Sequence, residues 1–238
     1  LFPKLNKELN FDGKKTFLFV FQFRPKGGFD TGLLWENDKN FFPKPLVEEH
    51  ALYNKSDYNL ITYSDFYQTE NFLLPIVFDF CLKKNYLFKI NFVFPSSHRY
   101  FNEELEFYKT ILPRYIHEAK LKENKTDSYK NMNSSDVIVN IDSTMGYEAL
   151  ARGLKTITFI NRPVTFKRNL DKFAWPNDFG KKGKIWTTQL SELEINRLLK
   201  YIDEVDELEW NNYINTIKSD MMEFDYDNKI FQNIIGSK

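Results

Sequence analysis

The sequence predicts an α/β chain: a three-layer domain with a mostly parallel sheet and helices at its carboxyl end. Three observations predict it. Apolar runs of strand length alternate with helix-length segments, the pattern of strands joined by crossover helices. The run 136–141 (DVIVNI) is rich in β-branched apolar residues, as a buried parallel strand requires. Asp142-Ser143-Thr144 then breaks the run with residues that cap helices, a segment of good helix formers follows, and Gly153 stops it before the next apolar run, 155–160 (KTITFI).

The other elements follow in order. Residues 16–23 (TFLFVFQF), flanked by lysines and by Arg24-Pro25, read as a buried strand. Arg24 opens a turn carrying Gly27-Gly28, and a polar-aromatic stretch runs on to about residue 70. Pro43 and Pro45 prevent a continuous helix there, though 48–55 suits a short one. A stretch of that length is an insertion with structure or function of its own. Residues 71–84 read as a helix with an apolar face of Phe72, Leu73, Ile76, Val77, Phe80 and Cys81, and Pro75 sits in its first turn. Residues 87–94 (LFKINFVF) read as a strand, 95–99 as a loop, and 102–112 as a helix ended by Pro113. The charged 120–127 suits a surface connection, and 128–132 a short helix. Helices are predicted at 191–203, opened by the capping box Ser191-x-x-Glu194, and at 207–224. No repeat or linker divides the chain. The expectation is one domain over 1–238, with an insertion at about 25–70 and carboxyl-terminal helices at about 190–225.

Composition narrows the function. The 238 residues carry 33 basic and 33 acidic side chains, so no overall positive field argues for nucleic acid. A single cysteine, Cys81, excludes an intramolecular disulfide and a cysteine-built zinc cluster, and fits a reducing cytoplasm. No apolar run approaches the roughly 20 residues of a membrane span, and no secretory signal is visible. No metal or other cofactor is expected.

The chemistry-bearing constellation is Asp142-Ser143-Thr144 with Glu148. A hydroxyl-rich turn between a parallel strand and a helix start lies where open α/β sheets bind ligands, and free N–H groups there favour anions. Thr144 and Glu148 are four apart and share a helix face. Two readings stay open from the residues: Ser143 or Thr144 simply caps the helix, or the turn holds phosphate while Glu148 accepts hydrogen bonds from ribose. Asp142 would order the turn or assist a metal. Arg24 and His98 follow strands at the same expected edge. Arg24 would grip phosphate bidentately or be a solvated turn residue. His98 would bind phosphate or act as a base, or be a satisfied loop histidine. Arg162, after the last strand, would close on the nucleotide. Trp175 and Trp186 would stack on a base or sugar, or pack in the core. His50 and His117 have no evident partners.

The segment SSDVIVNIDSTMGYEALARGLKTITF resembles the nucleotide-binding segment of GT-B glycosyltransferases. More closely, it resembles bacterial surface-carbohydrate biosynthesis proteins that carry a segment of the form DSTxGYEALARGxK. A looser likeness of element order extends over most of the chain, including Trp175-Pro176 and the tail Asp225-Tyr226-Asp227-Asn228. The resemblance implies a Rossmann-like domain, one half of a GT-B architecture, that binds a nucleotide-sugar donor. It implies Ser143, Thr144 and Gly146 near phosphate and Glu148 near ribose. A complete GT-B enzyme has two such domains and this chain accommodates one, so a carboxyl-terminal half lacking its acceptor-side domain is expected. The two-glutamate spacing of one large GT-B group is missing, which leaves the stereochemical outcome open. The implied partners are the nucleotide-sugar donor and a saccharide or lipid-linked acceptor, met in the cytoplasm or at the inner face of the membrane. A sugar-nucleotide epimerase, a glycerophosphate or sugar-phosphate transferase, and a non-catalytic binding module share the architecture.

Overall fold

Thr16–Phe21 (β1), Leu87–Ile90 (β2), Val137–Ile141 (β3), Thr156–Phe159 (β4) and Trp186–Thr187 (β5) form one five-stranded sheet in the order β2-β1-β3-β4-β5. Every pairing is parallel, with Phe19 opposite Ile90 and Val139, and Asn140 opposite Thr158. The computed structural model describes residues 13–21, 23, 25, 67–113, 128–141, 143–161, 173, 179–217 and 221. Residues 26–66 of the expected insertion, the expected connection at 120–127 and the last helix beyond Ile217 lie outside the described residues.

The helices are Gln68–Lys83 (α1), Phe101–Ile111 (α2), Ser128–Asn133 (α3), Thr144–Ala151 (α4), Glu192–Glu204 (α5) and Glu207–Ile217 (α6). Strand side chains alternate between faces, so β1 feeds two cores. Phe17, Phe19 and Phe21 join Val139, Ile157 and Phe159 in the larger core, which α1, α2, α5 and α6 cover through residues such as Leu73, Tyr108, Leu198 and Trp210. Leu18, Val20 and Ile138 meet Met132 of α3 and Ala149 of α4 on the opposite face. The result is the expected three-layer, Rossmann-like fold with its parallel sheet.

Several boundaries differ from expectation for identifiable reasons. The predicted strand 87–94 stops at Ile90, although Asn91 still donates its N–H to the Phe19 carbonyl at 2.9 Å. Beyond it, the amides of Val93 and Phe94 turn away to the Glu104 carboxylate of α2, at 2.9 and 3.0 Å. Helix α1 begins three residues early, so Pro75 lies inside the helix, not in its first turn. Pro75 has no N–H to give the carbonyl of Asn71, a residue exposed to solvent. The buried face of α1 is rotated: Leu73, Val77 and Cys81 are buried as expected, but Leu74 and Phe78 join them while Phe72 is 40% exposed. Strand β5 was not predicted. At two residues it gives no periodic signal; it pairs with β4, and its Trp186 stacks on Phe173 with ring centroids 4.4 Å apart.

The amino edge of the sheet is pinned by one carboxylate. Asp203 of α5 accepts from Lys15 at 2.7 Å and from the Tyr86 hydroxyl at 2.8 Å, with Lys84 at 3.1 Å. Burial alone would raise the Asp203 carboxyl, but these hydrogen bonds outweigh it and hold the group below the usual carboxylate range. Beside it, burial pushes the Cys81 thiol up to about 12, so this cysteine is a packed apolar group and not a nucleophile.

Candidate functional site

The chain leaves β1 for β2 on one side, and β3 lies on the other side of β1. Ligands of such sheets bind outside the carboxyl ends of the strands, at the point where the connections part. A cavity of about 470 Å³ lies there, within the range of small-molecule sites. Its described walls come from the carboxyl ends of three adjacent strands: Phe21 ends β1 and Phe23 follows it, Asn91 and Val93 follow β2, and Ser143 and Thr144 follow β3.

Ser143 is the N-cap of α4, in extended conformation (φ −96°, ψ 135°). Its backbone N–H donates to the Asn140 side-chain oxygen at 3.1 Å, and its carbonyl accepts from Gly146 at 3.0 Å. Its hydroxyl makes no capping hydrogen bond. The residue therefore holds a cap's position while its side chain performs no capping, which favours the ligand reading of the turn over the capping one. Thr144 is the first helical residue and is exposed at the cavity rim. Glu148, one turn further, lines the same cavity half-buried, and no hydrogen bond or ion pair among the described residues engages its carboxylate. The start of α4, two hydroxyls and one carboxylate thus line one concavity beside aromatic walls. Such a surface can hold an anion at the helix start and a hydroxyl-bearing group at Glu148.

The remaining candidates are placed differently. Gly146 is buried and is not among the cavity-lining residues. A Cβ built on it would stand 2.0 Å from the Asn140 side-chain carbon, so this glycine lets α4 press onto β3. His98 is exposed and does not line the cavity either. Its ring stacks on Phe94 at 4.4 Å, and its Nδ1 accepts from the Tyr100 N–H at the start of α2. Trp186 is in the core. Arg24, Asp142, Arg162 and Trp175, with His50 and His117, lie outside the described residues.

Sequence reasoning missed one wall. Asn91, 8% exposed, donates its amide to the Ser128 hydroxyl at 3.2 Å and accepts from the Asn131 amide at 3.4 Å. Ser128 and Tyr129 line the cavity with it. The available signal was an asparagine inside an otherwise apolar run, LFKINFVF, at the carboxyl end of a strand.

Residues 35–238 match the family model described as "putative O-antigen biosynthesis protein". The chain belongs to this family. The match includes every described element after β1, and with them every described cavity residue except Phe21 and Phe23. Membership supports a role in surface-polysaccharide biosynthesis. No curated protein and no solved structure matches the chain. Among the described residues no helix is long and apolar enough to cross a membrane. Among the described residues, no group of three or more His, Cys, Asp or Glu side chains could hold a metal ion.

Proposed function

We propose that this protein binds a nucleotide-sugar donor at the β1/β3 cavity and is the donor domain of a glycosyltransferase of GT-B type. One observation carries the reading: Ser143 stands at the N-terminus of α4 with its hydroxyl uncommitted to capping, beside Glu148 in the same cavity. The amides of α4 and the Ser143 and Thr144 hydroxyls would receive the diphosphate, and Glu148 the ribose hydroxyls. As the sugar leaves, charge grows on the diphosphate, and donors already aimed at it stabilise the transition state more than the ground state. The acceptor would be a saccharide or a lipid-linked saccharide, taken up in the cytoplasm or at the inner face of the membrane. Arg24, Asp142 and Arg162 are candidates for further phosphate and turn contacts on sequence grounds, and His98 is a more distant one.

A second reading, a binding module without transfer chemistry, is favoured by a different observation. The described cavity lining holds one carboxylate, Glu148, and no histidine to serve as a base. A thermal-shift screen with UDP-, GDP- and CMP-sugars tests the proposal. Stabilisation by one donor class supports it, and hydrolysis or transfer of that sugar in the presence of acceptor separates an enzyme from a binder. Absence of any shift at millimolar donor would remove it.

A further inference from the structure

We infer that Asn91 holds the Ser128 hydroxyl as a hydrogen-bond donor to the phosphate oxygens of the ligand, an assignment that rests on the donor-site reading above. Asn91, just after β2, and Ser128, at the start of α3, are brought by the fold to the same cavity as Ser143 and Thr144.

The argument is one of hydrogen-bond direction. The buried Asn91 amide has a partner at each end. Its oxygen accepts from the Asn131 amide at 3.4 Å, so its nitrogen is the end that faces Ser128. That nitrogen donates to the Ser128 Oγ at 3.2 Å and also lies 4.0 Å from the Met145 sulfur of α4. A serine hydroxyl carries one proton and two lone pairs. With a lone pair occupied by an amide that can only donate, the proton of Ser128 is left for another acceptor. Ser128 is half-buried and lines the cavity, where phosphate oxygens would supply that acceptor. The Met145 contact places the same amide against the first turn of α4, next to Ser143 and Thr144. Ser128 is thus a ligand-binding residue, and Asn91 a positioning residue that acts through it.

The test uses calorimetric titration of the full chain with UDP and GDP, and with uridine and guanosine as phosphate-free controls. Ser128→Ala is expected to weaken the diphosphate that binds by about tenfold, the loss of one hydrogen bond to a charged group. Nucleoside affinity should stay unchanged, and Ser128→Thr, which keeps the hydroxyl, should restore binding. Asn91→Asp is nearly isosteric but turns the donor into an acceptor. It draws the Ser128 proton away from the ligand and should weaken the diphosphate at least as much. Melting curves establish that each variant is folded. Diphosphate affinity within twofold of wild type in folded Ser128→Ala overturns the inference. So does a loss shared equally by diphosphate and nucleoside, which marks general distortion of the cavity. A wild-type protein that binds neither diphosphate overturns the donor-site reading for diphosphate-linked sugars and this inference with it. Wild-type binding with an unaffected Ser128→Ala overturns this inference alone.

Discussion

The side chain of Asn140 occupies the space that a Cβ on Gly146 would need. An ideal Cβ there would approach the Asn140 Cγ to 2.0 Å and its amide nitrogen to 2.2 Å. Asn140 is wholly buried and uses its oxygen to accept the Ser143 N–H, so it joins β3 to the first turn of α4. The helix that carries Ser143, Thr144 and Glu148 is seated by this pair.

Gly146→Ala should therefore destabilise the protein. Alanine gains about 1 kcal/mol of helix propensity over glycine. The overlap with a buried side chain costs about 1–3 kcal/mol or more, and the clash wins. In an Asn140→Ala background the same substitution should become neutral or favourable. Urea melts of the four proteins in the cycle measure this, and strictly additive effects would show that the two side chains do not compete for space.

Ser143→Ala should separate ligand holding from capping. An N-cap serine that caps with its side chain loses about 1 kcal/mol on this change. Because the Ser143 hydroxyl makes no such bond, the melting temperature should barely move while affinity for the bound nucleoside diphosphate falls. Thr144→Val should behave likewise, since Thr144 stands one residue inside the helix. Glu148→Gln should weaken binding by about 1–3 kcal/mol if its carboxylate receives ribose hydroxyls. Unchanged affinity in all three would empty the α4 wall of its assigned role.

Glu104 should make stability fall as pH rises toward neutrality. Burial pushes its carboxyl up from 4.5 to about 7, against the two backbone N–H bonds from Val93 and Phe94 that favour the charged form. Between those values the folded chain holds a proton on Glu104 that the unfolded chain has released. The free energy of unfolding therefore decreases as pH climbs through that window. Chemical denaturation at half-unit intervals from pH 5 to pH 8 should show the decline in wild type and a flatter profile in Glu104→Gln. Equal slopes in the two proteins would assign the pH dependence to other groups.

Asp203→Asn should cost about 2–3 kcal/mol. Removing one partner of a buried ion pair usually costs about 3–5 kcal/mol, but the partly exposed Lys15 and half-exposed Lys84 can rehydrate. The Asp203 carboxyl is held low, so its stabilisation is present above the usual carboxylate range and is lost only as pH falls through its depressed pKa. Wild type should thus lose stability on acidification below about pH 4 more steeply than the variant, after allowance for other carboxylates. A variant as stable as wild type at neutral pH would show that the contact is ornamental.

The legible part of the fold was the part written in uninterrupted apolar runs. TFLFVF, VIVNI and TITF each became a strand buried along its whole length, and the turn after VIVNI became the start of α4. The end of β2 was not legible, because LFKINFVF stays apolar past the point where the strand stops. What stops it is Glu104, reaching from another element to take two amides. The site was half legible for the same reason. Ser143, Thr144 and Glu148 stand close together in the sequence and share a local motif. Asn91 and Ser128 are 37 positions apart and meet only through the fold. Of the capping box at Ser191, half formed: the Ser191 hydroxyl accepts the Glu194 N–H at 3.3 Å, but the Glu194 carboxylate turns to Arg197 and Lys182.

The clamp at Asp203 also sets a schedule. Lys15 precedes the central strand β1, and the aspartate that fixes it lies 188 residues downstream. A ribosome adding roughly 5–20 residues per second needs on the order of 10–40 s to cover that distance. During that interval β1, the most aromatic strand of the sheet, is already outside the exit tunnel with its amino edge unfastened. Its five successive apolar residues from Phe17 to Phe21 are then open to self-association. Production of the intact protein should accordingly depend on whatever shields nascent chains, more than its equilibrium stability would suggest.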